Sequence, residues 1–183
     1  MIHRQFLFAF LLLTVATARA QVDNYCLEFE PTGVVNLGQQ SGLPAAEGDY
    51  TLQFWFCPAL WTPKAALVRS GTFSIKLGNN HALVLNDGTH HLTVTDRRLG
   101  EGKWCHVTLR ADKSANQTRV TLNNASTYVL EHYLALPAKD CSLWLGGDYS
   151  GRMDEIRLWK TLLPTDYESF WNNTLNKLHP QWS

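Results

Sequence analysis

Alternation with a period of two, punctuated by glycine at short intervals, constrains this chain most. Leu27 and Phe29 alternate with Cys26 and Glu28. Leu52, Phe54 and Phe56 alternate with Thr51, Gln53 and Trp55, and Phe73, Ile75 and Leu77 alternate with Ser74 and Lys76. The pattern returns at Val107 and Leu109 and at Val120 and Leu122. Successive side chains of a strand point to opposite faces, so such runs bury one face of an antiparallel sheet and wet the other. Between them stand Gly38, Gly42, Gly48, Gly71, Gly78-Asn79-Asn80, Asp87-Gly88, Gly100, Gly102 and Gly146-Gly147. Turn signals this regular favour a sandwich of short strands over βαβ units. Helical periodicity is absent before Pro164. After it, Thr165 to Leu175 is expected to form one short helix, with Thr165 as N-cap and Glu168 at the third helical position. The expected fold is all-β, an antiparallel β-sandwich with a short C-terminal helix.

The first residues bear on the compartment. Met1 to Arg4 carries a His and an Arg, Phe6 to Val15 is a nearly unbroken apolar run, and Ala18-Arg19-Ala20 supplies small residues. That is the layout of a secretory signal over residues 1–20, with cleavage before Gln21. The run is too short to span a membrane, which takes about 20 residues. No Cys follows the small residues directly, which argues against a lipoprotein anchor. Residues 21–163 then form one sandwich domain, and 164–183 a helix and tail that could lead into a further domain. The expected location is secreted or extracellular, with the periplasm or cell surface as variants.

Sixteen basic and sixteen acidic residues give a formal net charge of zero, and no Lys/Arg stripe forms. Nucleic acid and anionic membranes are therefore excluded as expected partners. The four cysteines, Cys26, Cys57, Cys105 and Cys141, permit two disulfides in three connectivities. Strand parity does not choose among them. Cys105 shares a face with Val107 and Leu109, Cys26 sits opposite Leu27 and Phe29, and buried free thiols are the alternative. No Cys-x-x-Cys pair or zinc-type His spacing occurs.

Several segments, in order, carry a resemblance. Tyr25-Cys-Leu-Glu-Phe-Glu and Gly48-Asp-Tyr-Thr-Leu-Gln-Phe-Trp-Phe come first, then Gly102-Lys-Trp-Cys-His-Val-Thr-Leu and Thr118-Arg-Val-Thr-Leu-Asn-Asn. Leu143-Trp-Leu-Gly-Gly, Gly151-Arg-Met-Asp-Glu-Ile-Arg-Leu-Trp and Leu162-Leu-Pro follow. Together they resemble the strands of laminin-G-like domains of the concanavalin A-like lectin/glucanase superfamily, with Gly151 to Trp159 the most specific stretch. Asn124 stands where that family's turn prefers Gly. The resemblance implies a jelly-roll sandwich and a secreted, non-catalytic module that binds an extracellular carbohydrate or a cell-surface protein. The alternative is a structural or protein–protein interaction domain of a larger secreted protein.

By the same resemblance Asp154 would bind calcium, with backbone carbonyls from around Glu30 and Gly48. Calcium wants several oxygen ligands, and one carboxylate alone makes a weak site. The competing reading makes Asp154-Glu155 a solvated or salt-bridged strand feature. Catalysis is disfavoured. Glycosidases on this fold hold two carboxylates on one face, whereas adjacent Asp154 and Glu155 would point to opposite faces of a strand. Glu28 and Glu30 lack the intervening acid, and no Gly-x-Ser-x-Gly elbow or glycine-rich phosphate loop appears.

Candidates for ligand contact are Trp61 in a Pro-rich loop and Asp148-Tyr149 after Gly146-Gly147, because sugars stack on exposed aromatics beside polar groups. Against this, large aromatics are mostly buried, and both rings could be packing residues. Trp104 and Trp159 read as core or edge packing, and His81 and His90-His91 as strand-end or solvated residues. Asn-x-Ser/Thr sequons stand at Asn116, Asn124 and Asn172, and they matter only where the source glycosylates secreted chains.

Overall fold

The computed structural model describes residues 26–39, 48–136 and 141–164. The expected signal at 1–20 and the expected helix at Thr165 to Leu175 lie outside them. Within them the alternating runs become strands. In chain order these are β1 (Leu27–Phe29), β2 (Val34–Gln39), β3 (Tyr50–Pro58), β4 (Ala66–Ser70), β5 (Phe73–Leu77) and β6 (Ala82–Asn86). They continue as β7 (His91–Thr95), β8 (Cys105–Asp112), β9 (Gln117–Leu122), β10 (Ser126–Leu130), β11 (Ser142–Gly146) and β12 (Gly151–Trp159). Every pairing is antiparallel, in two sheets of order β1-β12-β3-β8-β9-β10 and β2-β11-β4-β5-β6-β7. The result is a β-sandwich of jelly-roll type, with no helix among the described residues.

The core is the set of side chains that alternation aims between the sheets. The first sheet contributes Leu52, Phe54, Phe56, Val107, Leu109 and Met153. The second contributes Phe73, Ile75, Leu77, Leu83, Leu85 and Leu145, and all are buried. Each such side chain contributes on the order of 1.5–3 kcal/mol through the apolar surface it removes from water.

The outer face of the first sheet departs from the expected wet face. Thr51, Gln53, His106 and Thr108 point outward from β3 and β8, yet each is at most 3% exposed. The side-chain polar groups of Thr51, Gln53 and Thr108 are held within the fold. Thr51 Oγ1 donates to the carbonyl of Thr161 (2.9 Å) and accepts from the Leu163 N–H (3.0 Å). Trp159 Nε1 donates to Gln53 Oε1 (3.1 Å), and Gln53 Nε2 contacts Thr108 Oγ1 at 3.4 Å. The chain after β12 thus crosses the start of β3, and buried polar groups there are satisfied rather than solvated.

A bulge in β12 resets its parity. Asp154 opposes Trp55, but Gln53 is opposed by Arg157, so Glu155 and Ile156 together face the single residue Phe54. Glu155 takes the left-handed conformation (φ 52°), and its N–H donates to Asp154 Oδ1 at 2.7 Å. The extra residue returns Arg157 to the outer face beside Asp154, where Glu155 pairs with it. Without the bulge, Arg157 would point into the core.

Gly151 opens the same strand at φ 147°. A Cβ there would lie 2.3 Å from the Cys57 carbonyl oxygen and 2.7 Å from the Tyr149 hydroxyl, so only glycine fits.

No disulfide forms among the described residues. Cys26 is exposed, Cys57 and Cys105 are buried, and all four cysteines are free thiols. Cys57 and Cys105 lie close in register but point to opposite faces, since Phe56 is the residue that opposes Cys105. Burial pushes the Cys105 thiol up to about 12, the behaviour of a packing residue.

Candidate functional site

Antiparallel order brings six connections to one rim of the sandwich: those after β1, β3, β5, β7, β9 and β11. On the β7/β10 side of this rim runs a shallow groove. Asp96, Arg97, Arg98, Ser126 and Tyr128 line one half, and Asn80, His81 and Leu99 extend it past Asp96 and Arg97. The larger half encloses about 510 Å³, within the span of small-molecule sites (roughly 300–1,000 Å³).

The groove is built on an ion pair. Arg98 Nε donates to Asp96 Oδ1 at 2.8 Å, and Nη2 donates to Oδ2 at 2.6 Å. The Arg98 N–H also donates to Asp96 Oδ1. These bonds, the Arg98 side chain first, hold the Asp96 carboxyl well below the usual carboxylate range. A bidentate fork fixes both partners in one plane. Arg98 Nη2 reaches Ser126 Oγ (2.6 Å), and the Tyr128 hydroxyl donates to the Thr95 carbonyl (2.6 Å). These bonds stitch β10, the edge of one sheet, to the end of β7, the edge of the other. Between them Arg97 is exposed and its side chain makes no hydrogen bond among the described residues.

The floor beside His81 is held by Trp61. The Trp61 indole N–H donates to the Gly78 carbonyl (2.8 Å), its backbone N–H donates to Glu101 Oε1 (2.9 Å), and its ring meets His81 edge-on at 5.0 Å. Asn80 and His81 both take positive φ (53° and 52°), which turns the β5–β6 connection toward the groove.

The β7–β8 connection ends at Trp104, which is 38% exposed on the outer face of the first sheet. Its ring meets Trp55 edge-on at 6.5 Å, and the Arg152 guanidinium lies 5.3 Å from its centroid. Trp55 in turn tilts against His106 at 5.0 Å. Burial, with the Arg157 charge, lowers His106 to about 4 and keeps it neutral at neutral pH.

The residues expected from sequence are scattered. Trp61 is 9% exposed and Tyr149 is fully buried, its hydroxyl donating to the Arg152 carbonyl (2.9 Å). Neither ring offers an exposed face for stacking in this structure. Trp61 instead supports the groove wall. Asp148 is exposed on the same rim but beside β11, four strands from β7 and roughly 19 Å away.

The expected calcium set does not converge. Glu30 follows β1 at the rim where Gly151 meets Pro58, whereas Gly48 precedes Tyr50 at the other end of β3, roughly 25 Å away. Asp154 lies between them on the outer face. The Glu30 carbonyl already accepts the Gly33 N–H, and the Gly48 carbonyl accepts the Tyr133 hydroxyl. No cluster of three metal-ligating side chains occurs among the described residues. These three residues do not fit one calcium ion.

Trp104, expected in core or edge packing, packs against Trp55 and Arg152 at the surface of the first sheet. The groove residues escaped the sequence reading. Their signal was the charged triplet Asp96-Arg97-Arg98 directly after His91-Leu-Thr-Val-Thr, whose own alternation marks a strand end.

With this geometry in hand, known proteins are informative. A laminin-G family described as the concanavalin A-like lectin/glucanases superfamily matches residues 30–166. No curated protein sequence matches the chain. Among solved structures, the CBM40 module of a Ruminococcus gnavus IT-sialidase bound to α2,3-sialyllactose superposes with a TM-score of 0.61 at 14% identity, covering 78% of this chain and 93% of the module. Domain 4 of an extracellular arabinanase from Geobacillus stearothermophilus, in complex with arabinotriose, gives 0.56 at 17% identity, covering 80% and 79%. Domains LG4-5 of the mouse laminin α1 chain give 0.56 at 15% identity, with 72% of this chain and 40% of that one covered. At these identities the likeness is one of fold.

Proposed function

The chain belongs to the laminin-G branch of the concanavalin A-like lectin/glucanase superfamily, and on that premise we propose that it is a secreted, non-catalytic module that binds an extracellular carbohydrate in the rim groove. The observation that carries this reading is the bidentate Asp96–Arg98 pair with Arg97 beside it. It is a rigid, polar, open surface in which carboxylate, guanidinium and hydroxyl groups already hold fixed positions. Sugar hydroxyls bind such surfaces through short donor and acceptor contacts, with little ordering cost. The arabinanase and sialidase neighbours are parts of enzymes whose solved domains hold sugars. They support binding, and leave catalysis to be judged from the groove itself.

The groove argues against hydrolysis. Cleaving a glycosidic bond takes two carboxyl groups, one of them able to donate a proton. Asp96 is the carboxylate among the groove-lining residues, and its partner Arg98 holds it ionised. Secretion is supported by the signal-type residues 1–20. No helix among the described residues is long and apolar enough to cross a membrane.

A protein-interaction role is the second reading. Leu27 (40% exposed) and Val34 (44%) favour it, on the neighbouring edge strands β1 and β2.

A glycan array probed with the secreted chain, with and without a chelator, tests the proposal. Saturable binding to an oligosaccharide that Arg97→Ala reduces at least tenfold, at unchanged melting temperature, is the expected result. A flat array, or binding indifferent to Arg97→Ala, would overturn it.

A further inference from the structure

We infer that Asn116 is an N-glycosylation site and that its glycan projects from the rim opposite the binding groove. The sequon is Asn116-Gln117-Thr118. The inference rests on the secretory route proposed above, since the transfer occurs only on chains entering that route.

Glycan transfer acts on the extended chain, so the folded structure must meet a different demand: the modified nitrogen has to end in solvent. Asn116 closes the β8–β9 turn, exposed and at φ 49°, a conformation that Asn adopts readily. The turn is set independently of the Asn116 side-chain nitrogen, Nδ2. Asp112 Oδ1 accepts from the Ser114 hydroxyl and the Ala115 N–H (both 2.8 Å), and the Asn116 N–H donates to the Lys113 carbonyl.

The Asn116 side chain is anchored through its oxygen. Oδ1 accepts the Tyr133 N–H at 3.1 Å, while Nδ2 has no hydrogen-bond partner among the described residues. Nδ2 is the atom that is glycosylated, so the linkage leaves the structural bond in place. The sequon hydroxyl also has a folded role, as Thr118 Oγ1 accepts the Leu134 N–H at 2.8 Å. Hence the site takes a glycan without giving up any bond of the hairpin.

The step balances. Asn116 Nδ2 bonds to the anomeric carbon of an oligosaccharide carried on a lipid pyrophosphate. The carbon–oxygen bond to that pyrophosphate breaks and the pyrophosphate leaves with the electron pair. One Nδ2 proton is lost to the medium. Because the β8–β9 turn and the groove stand at opposite ends of the strands, the glycan is expected to leave groove binding unchanged.

The test expresses the full chain in glycosylating eukaryotic cells, once with its own N-terminus and once behind a heterologous secretion leader. Peptide N-glycosidase treatment followed by mass spectrometry should show Asp at position 116 in both. Conversion only behind the heterologous leader would support the acceptor site and overturn the secretory reading of residues 1–20. A secreted chain with unmodified Asn116 behind the heterologous leader would overturn the inference. Asn116→Asp keeps the oxygen that Tyr133 needs and tolerates the same φ, so it should be secreted at wild-type level with the Asn116-linked mobility shift lost.

Discussion

Arg98 grips Asp96 through two parallel hydrogen bonds, 2.8 and 2.6 Å long, and thereby keeps this groove-lining carboxylate charged. A carboxyl whose pKa falls on folding stabilises the fold at every pH above its unfolded value of about 3.9. That contribution is lost progressively as pH falls from the unfolded value through the lowered folded one. NMR titration of the Asp96 carboxyl should therefore show ionisation well below the ordinary range, and Arg98→Ala should return it toward about 3.9. An Asp96 that titrates normally in the wild type would refute the pairing.

His106 acts in the same direction in a higher pH window. Its folded value near 4 lies below the unfolded value of about 6.5, so the unfolded chain binds more protons between those limits. Stability accordingly falls as pH is lowered through that window and levels off below it. Between pH 7.5 and pH 5 the loss should be about 2 kcal/mol. Urea midpoints at the two pH values would show it, and His106→Gln should flatten the difference.

Gly151 and Gly102 separate steric from conformational cost. Both have positive φ, but a Cβ on Gly102 meets nothing within 4 Å, whereas one on Gly151 meets the Cys57 carbonyl. Gly102→Ala should cost about 1–2 kcal/mol, and Gly151→Ala about 3 kcal/mol or more. Equal midpoints for the two variants in denaturant would contradict the packing at the start of β12.

The two tryptophans nearest the rim should part in the same way. Trp61→Ala removes a buried ring and its bond to Gly78, a loss of about 3–5 kcal/mol. Trp104→Ala removes an exposed ring and should cost under about 1 kcal/mol. Thermal unfolding of both variants checks the assignment.

Chelation should leave the melting temperature unchanged, because Asp154, Glu30 and Gly48 lie too far apart to share an ion. A fall of several degrees on adding a chelator would restore a calcium site.

The strands were legible because burial acts on alternate residues, and Leu52-x-Phe54-x-Phe56 states that burial directly. Which aromatic rings reach the surface was not legible. Trp61 and Trp104 have the same identity, and only the paths of two connections decide that one is buried and the other exposed. The bulge at Asp154 hid a second feature. Parity alone aims Arg157 inward, and a single left-handed residue at Glu155 reverses it. The groove was harder still. Asp96 and Arg98 are local, but Ser126 and His81 arrive from turns that meet only when two sheet edges close.

The central claim is that ligand binds in the rim groove, and backbone amide shifts recorded while titrating the best array oligosaccharide test it most directly. Perturbations should cluster at Asn80, His81, Asp96 to Leu99 and Ser126, saturating together with one affinity. Shifts confined to the outer face around Trp55, Trp104 and Arg152, with the groove amides unmoved, would contradict it.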